Sequence, residues 1–255
     1  LKPYLLWLIP WICIIIIIFF LIILSLTGVA VKWSAPLLSL ILLGISGYMY
    51  FFKRRLRIDV TAKDFFIGSI ILVSIIFNLV PILRREGFLT TISMGNNDVG
   101  AYAITSDYLI DHSINESFVS RVNLPVSNLL HDGYRWGTPI IYSFFQVLFG
   151  LQGYQFMYLF QTILFGLMLP LVYIAFCLLY RSNILGMIFL LIMTAFNANL
   201  LYMLYHDFLG QVLFWGIELI FFILFFAYLG TERENQGVNK FDFLIGINTS
   251  VFYFS

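Results

Sequence analysis

Charge is what this sequence has least of: only 11% of its 255 residues are charged, and the formal net charge is +1. A soluble domain carries about a quarter charged residues, so a water-facing shell cannot be assembled from this composition. The near-zero net charge also argues against a nucleic-acid binder, which carries a concentrated basic face. Cysteine is scarce too. Cys13 and Cys177 both lie in apolar runs, where a thiol behaves as a small hydrophobe and says nothing about redox compartment. No Gly-rich phosphate loop, CxxC pair, HExxH or GxSxG motif occurs, which leaves nucleotide-powered transport and hydrolase chemistry without support. No internal repeat is visible, and inverted repeats are the usual mark of a secondary transporter.

What is present is apolar: hydrophobic residues make up 61% of the chain and the mean hydropathy is +0.96. Six segments, 5–26, 35–52, 65–83, 155–180, 184–205 and 208–229, are long and nearly free of charge. Roughly 20 apolar residues cross ~30 Å of hydrocarbon as a helix, and a helix satisfies its own backbone polar groups there. These runs lack the apolar-polar alternation of a membrane β-barrel. The expected fold class is therefore all-α, a polytopic transmembrane helical bundle, with its ionisable residues gathered at span ends. Pro170 is expected to kink the fourth span. The run 5–26 exceeds a signal-peptide core and reads as a membrane anchor. Residues 1–255 read as a single transmembrane domain. A chain that starts at Leu1 and stops inside another apolar run at Ser255 is expected to be a fragment of a longer one.

Basic residues give the expected orientation. Lys53, Arg54, Arg55, Arg57 and Lys63 form the densest cationic cluster, which the positive-inside rule places in the cytoplasm. The N-terminus is then cytoplasmic in a multi-pass protein of the plasma membrane or its equivalent, and residues 84–137 form an external loop. The segment 137–150 is apolar but too short to span, so it is read as an interfacial helix that does not cross.

The external loop carries the chemistry-bearing residues. Asn96, Asn97 and Asp98 are helix-capping types placed before a helix-period stretch. Val99, Tyr102, Ala103, Ser106 and Ile110 fall on one face, Asp107 and Asp111 on another, as in an amphipathic surface helix with a solvated acidic side. A second polar cluster, Asn197, Asn199, His206, Asp207 and Gln211, lies at or near the ends of two spans. One His and one Asp are too few to define a metal site.

An acidic residue soon after a core span, then a Tyr, an Ala, a surface helix and the segment Pro139 to Gly150 with its Leu-Phe-Gly ending follow in order. That order resembles the amino-terminal half of the GT-C superfamily of membrane glycosyltransferases, over roughly residues 65–230. The resemblance implies transfer of a sugar from a polyprenyl-phosphate carrier to an acceptor that the sequence does not name. It implies Asp98 as the catalytic base, within Asn97-Asp98-Val99-Gly100-Ala101-Tyr102. A second acidic residue often found near the first has Asn96 and Asn97 in its place here, so the resemblance does not carry over the family's metal-assisted version. A divalent cation is the one cofactor to consider.

The expected roles follow from the chemistry. An attacking hydroxyl must lose a proton to a carboxylate within reach, and the departing lipid phosphate needs cations or amide donors. Arg84, Arg85, Arg121 and Arg135 are the external cations, and His131 is a candidate proton donor. Tyr102, His206 and Asp207 complete the expected substrate contacts. Each has a plainer reading beside it. Asp98 as a helix cap, Arg84 and Arg85 snorkelling to headgroups, and His131-Asp132 as a turn fit the residues equally well. A transporter or flippase for a lipid-linked sugar or small solute is the alternative function, and a structural membrane subunit is the third.

Overall fold

The structure is a computed structural model that describes residues 4–49, 51, 60–86, 98–119, 136–179, 184–206 and 208–236. It is almost entirely helical, with no strand among the described residues. In chain order the helices are α1 (Leu5–Leu26), α2 (Val31–Tyr48), α3 (Ala62–Glu86), α4 (Asp98–Asp111), α5 (Ile114–Val119) and α6 (Gly137–Phe149). They continue as α7 (Gly153–Leu179), α8 (Ile184–Ala195), α9 (Ala198–Tyr205) and α10 (Leu209–Gln236). Six stretches are long and apolar enough to cross a membrane: α1, α2, Ala62–Arg84 of α3, α7, Ile188–Tyr205 across α8 and α9, and Leu209–Leu229 of α10. The protein is a multi-pass, all-α membrane bundle.

Local chemistry explains where these helices stop. α1 ends in a Schellman turn: Val29 N donates to Leu24 O, Gly28 N donates to Ser25 O, and Gly28 takes φ 97°. Only glycine adopts that left-handed backbone without strain, and the sharp turn sends α2 back beside α1. α2 begins at Val31 rather than at residue 35, because Lys32 sits in its first turn with its ammonium 2.8 Å from the Asp111 carboxylate. The run 184–205 is not one helix. It breaks at Phe196 and Asn197, and the Asn197 side chain caps α9 by accepting from Asn199 N and Leu200 N.

Side-chain contacts align the spans. Trp7 at the start of α1 donates to Asp64 at the start of α3, while Lys63 lies over the rings of Tyr4 and of Tyr173 near the end of α7. Ser25 at the far end of α1 accepts from Ile114 N of α5. Tyr158, near the start of α7, donates to Asn78 O near the end of α3. The bundle thus has an N-terminal end and an α4 end. α3 finishes and α7 starts at the same end of the bundle. α6, with 13 residues, is shorter than the six candidate spans, and it is buried against the bundle at residues 138–144.

The centre of the bundle is α7, which packs against α1, α3, α8 and α10. Pro170 lies inside it, yet the helix runs on through. Proline removes a donor and crowds the carbonyl of the preceding turn. A neighbouring helix supplies a donor in that turn: Trp11 Nε1 of α1 donates to Leu167 O at 2.9 Å. The Trp11 ring is fully buried and lies so close to α10 that only glycine fits at 216.

Candidate functional site

The α4 end is built around one docked helix. α4 buries Val99, Tyr102, Ala103, Ser106 and Leu109 against α6, α7 and α2. That is the apolar face its period predicts, with Ile110 half-buried at its edge. Ser143 of α6 donates to Ser106 O at 3.0 Å, and the buried Tyr142 hydroxyl donates to Gly153 O at 2.7 Å. Burial pushes the Tyr142 phenol up from its usual pKa.

The acidic side of α4 is not simply solvated. Asp107 Oδ1 accepts from Gly153 N at 2.8 Å and from Gln146 Nε2 at 2.6 Å, tying α4 to the turn between α6 and α7. Glycine is required at 153, since a Cβ there would lie 2.7 Å from Ala103 O. Asp111 pairs with Lys32, and that hydrogen bond and charge hold its carboxyl below the usual range. His112 Nδ1 lies 2.9 Å from Glu116, and its ring stacks on Tyr108. Burial, then the Glu116 charge, raises the Tyr108 phenol.

Between α1, α4, α6 and α10 lies a cavity of about 370 Å³. Ile18, Leu213, Phe214 and Ile217 supply apolar wall, and Tyr102, Thr138 and Gln211 supply the polar groups. Gly210 passes so close to Tyr102 that a Cβ there would meet the phenol oxygen at 2.6 Å. Gln211 Oε1 is buried with no hydrogen-bond partner among the described residues. Among the described residues no charged side chain lines the cavity.

The sequence-predicted residues fall unevenly around it. Tyr102 lines the cavity. Asp98 is the first residue of α4, four positions ahead of Tyr102, a spacing that puts two positions on one helix face. The side chains of Asp98 and Arg85 lie outside the described residues, as do His131, Arg135, Arg121 and Asp207 altogether. Arg84 is exposed near the end of α3, at the α4 end of the bundle. His206 is at the end of α9, its Nδ1 3.0 Å from Tyr202 O and its ring stacked on Tyr202 at 3.8 Å. It stands in the turn ahead of α10 and is not part of the cavity lining. Among the described residues no three His, Cys, Asp or Glu side chains come together as a metal site requires.

One residue escaped the sequence reading. Glu218 stands in the middle of the span Leu209–Leu229, which corrects the expectation that ionisable groups keep to span ends. Its signal was in the sequence: a single acid nine residues from the nearest span boundary, hidden by the average hydropathy of its neighbours. No protein-family model, curated protein or solved structure matches this chain.

Proposed function

We propose that the protein is a membrane glycosyltransferase that moves a sugar from a polyprenyl-phosphate carrier to an acceptor at the external membrane face. The observation that carries this reading is the cavity beside Tyr102, apolar along one wall and polar at Thr138 and Gln211, at the end where α4 begins. A site fed from the bilayer needs both kinds of surface. The apolar wall accommodates hydrocarbon, while the polar groups orient a hydroxylated head. The GT-C resemblance, and the basic link that puts the N-terminus in the cytoplasm, add to it from the sequence.

In this mechanism Asp98 accepts the proton of the acceptor hydroxyl as its oxygen attacks the anomeric carbon. The bond from that carbon to the carrier phosphate breaks, and the phosphate oxygen keeps the electron pair. Arg84, exposed at the same end, offers a guanidinium for that growing charge. Arg85, Arg135, His131 and Asp207 join it on sequence grounds.

The test is sugar transfer from radiolabelled polyprenyl-phosphate sugars in membranes, comparing the protein with Asp98→Asn. Asn keeps the shape and the hydrogen-bonding oxygen but cannot take a proton at neutral pH. Loss of transfer by roughly 100-fold or more, the usual weight of a general base, is expected at unchanged protein level. Transfer equal in both returns Asp98 to helix capping.

A transporter or flippase is the second reading. The break between α8 and α9 favours it, because discontinuous spans often frame transport sites. Against it, Asn197 and Asn199 at the break are exposed on the outside of the bundle rather than turned into an enclosed path. Sugar-lipid movement across vesicles without any transfer would establish the second reading over the first.

A further inference from the structure

Glu218 is the tenth residue of the span Leu209–Leu229, so it lies about 15 Å from either end of it at 1.5 Å per residue. That is the depth at which a carboxyl group is least well accommodated by lipid. Acids at this depth almost always turn toward the bundle interior or a partner. This one does neither among the described residues. Counting 100° per residue, the buried side of α10 is formed by Val212, Gly216, Ile220 and Ile223, and Glu218 stands roughly opposite them. It is partly exposed, and among the described residues it has no hydrogen bond or ion pair.

Its immediate neighbours on the helix surface are all aromatic. Phe214 and Trp215 precede it by four and three residues, and Phe221 and Phe222 follow it by three and four. These rings are exposed by 62%, 37%, 64% and 36%, so they stand at the surface around the carboxyl, with Phe214 also bordering the cavity at the α4 end. Phe221 and Phe222 go on to stack with Phe225 and Phe226 one turn further, which extends the aromatic surface along the helix. Electron-rich rings around an acid in a low-dielectric medium favour a cation, through the ring quadrupoles and the carboxylate together.

We propose that this face of α10 is a docking surface for another transmembrane helix that carries a Lys or Arg at matching depth. The described spans of a second copy offer no matching cation. Lys32, Lys63 and Arg84, the basic residues of the described spans, stand at span ends, and a two-fold pairing through α10 would set two Glu218 carboxyls against each other. A lipid headgroup does not fit either, because a cationic one would have to descend to the middle of the hydrocarbon. The proposal does not rest on the chemistry assigned to the α4 end, although Phe214 belongs to both surfaces.

The experiment uses the whole chain, fluorescently labelled in phosphatidylcholine vesicles, with synthetic transmembrane peptides as partners. One peptide is a leucine helix, one has a central Lys, and one has a central Glu. Energy transfer is expected for the Lys peptide above the other two. It should weaken by roughly ten-fold in apparent affinity in Glu218→Gln, in line with the upper range for polar contacts between membrane helices. Glu218→Gln keeps the volume of the side chain, and the peptide series on the native chain needs no variant at all. Equal transfer for the three peptides overturns the proposal, as does Lys-peptide binding indifferent to Glu218→Gln. Self-association of the chain that Glu218→Gln abolishes would also overturn it, in favour of a second copy.

Discussion

At the scale of single residues, the tightest place in the bundle is where Trp11 of α1 enters between α7 and α10. Its indole nitrogen serves the carbonyl of Leu167, and its ring edge occupies the space that any side chain at 216 would need, 1.9 Å from an added Cβ. Neither neighbour can give way easily, since the ring is fully buried and the opposing atoms are backbone. Gly216→Ala is therefore expected to destabilise the protein by about 1–3 kcal/mol or more, the range for overpacking a filled site. Gly44→Ala supplies the contrast: nothing lies within 4 Å of its added Cβ, and alanine in an open helix position is expected to be neutral or stabilising by up to about 1 kcal/mol. Thermal unfolding in detergent would separate the two. Equal melting temperatures would mean that α1 and α10 part more readily than their packing implies. Gly216 looks like any other glycine in the sequence, because its constraint comes from a residue 205 positions earlier.

At the scale of elements, the junction of α4, α6 and α7 depends on Asp107. One carboxylate oxygen holds both Gly153 N and Gln146 Nε2, so the first turn of α7 and the last turns of α6 share an anchor on α4. Asp107→Ala removes that acceptor, and stability is expected to fall by about 1–2 kcal/mol, toward the lower part of the range for a lost acceptor because water reaches the site. Asp107→Asn retains an oxygen able to accept both bonds and should stay near the native value. Amide exchange at Gly153 is the local readout: faster in the alanine variant, near native in the asparagine one. Similar exchange in all three would show that α7 is held by its other contacts alone. The sequence makes α4 legible and its face correct, since Val99, Tyr102, Ala103 and Ser106 follow the helical period. It makes Asp107 look solvated for the same reason: spacing reports which residues share a face, not that a glycine 46 positions away lies against it. The span limits were legible to within a few residues where apolar composition ends abruptly. They failed at α2, where Lys32 finds its partner in Asp111, and at Asn197, whose capping turns one apolar run into two helices. Tyr102 was legible as a candidate, but not its meeting with Gly210, because two helices far apart in sequence make the cavity together.

At the scale of the whole molecule, the argument turns on parity. Residues 87–152 contain enough apolar sequence for a short crossing, and one crossing there would invert every later segment. Three independent ties oppose it. α5 meets the end of α1 at Ser25, α4 meets the start of α2 through Lys32, and α4 meets the start of α7 through Gly153. All three lie at the end opposite Trp7 and Asp64, where α1 and α3 begin. The consequence is measurable by thiol labelling in sealed, oriented vesicles, after Cys13 and Cys177 are replaced by alanine. Thr27→Cys and Gln152→Cys should react from one side of the membrane, and Val60→Cys from the other. Reaction of Gln152→Cys from the Val60 side would mean that α6 crosses after all, which would separate the turn ahead of α7 from Asp107 and dismantle the cavity at Tyr102. Agreement of the first two positions would leave α4, α6, the ends of α3 and α9 and the start of α10 gathered on a single face of the membrane, the geometry that any site assembled around Asp98 requires.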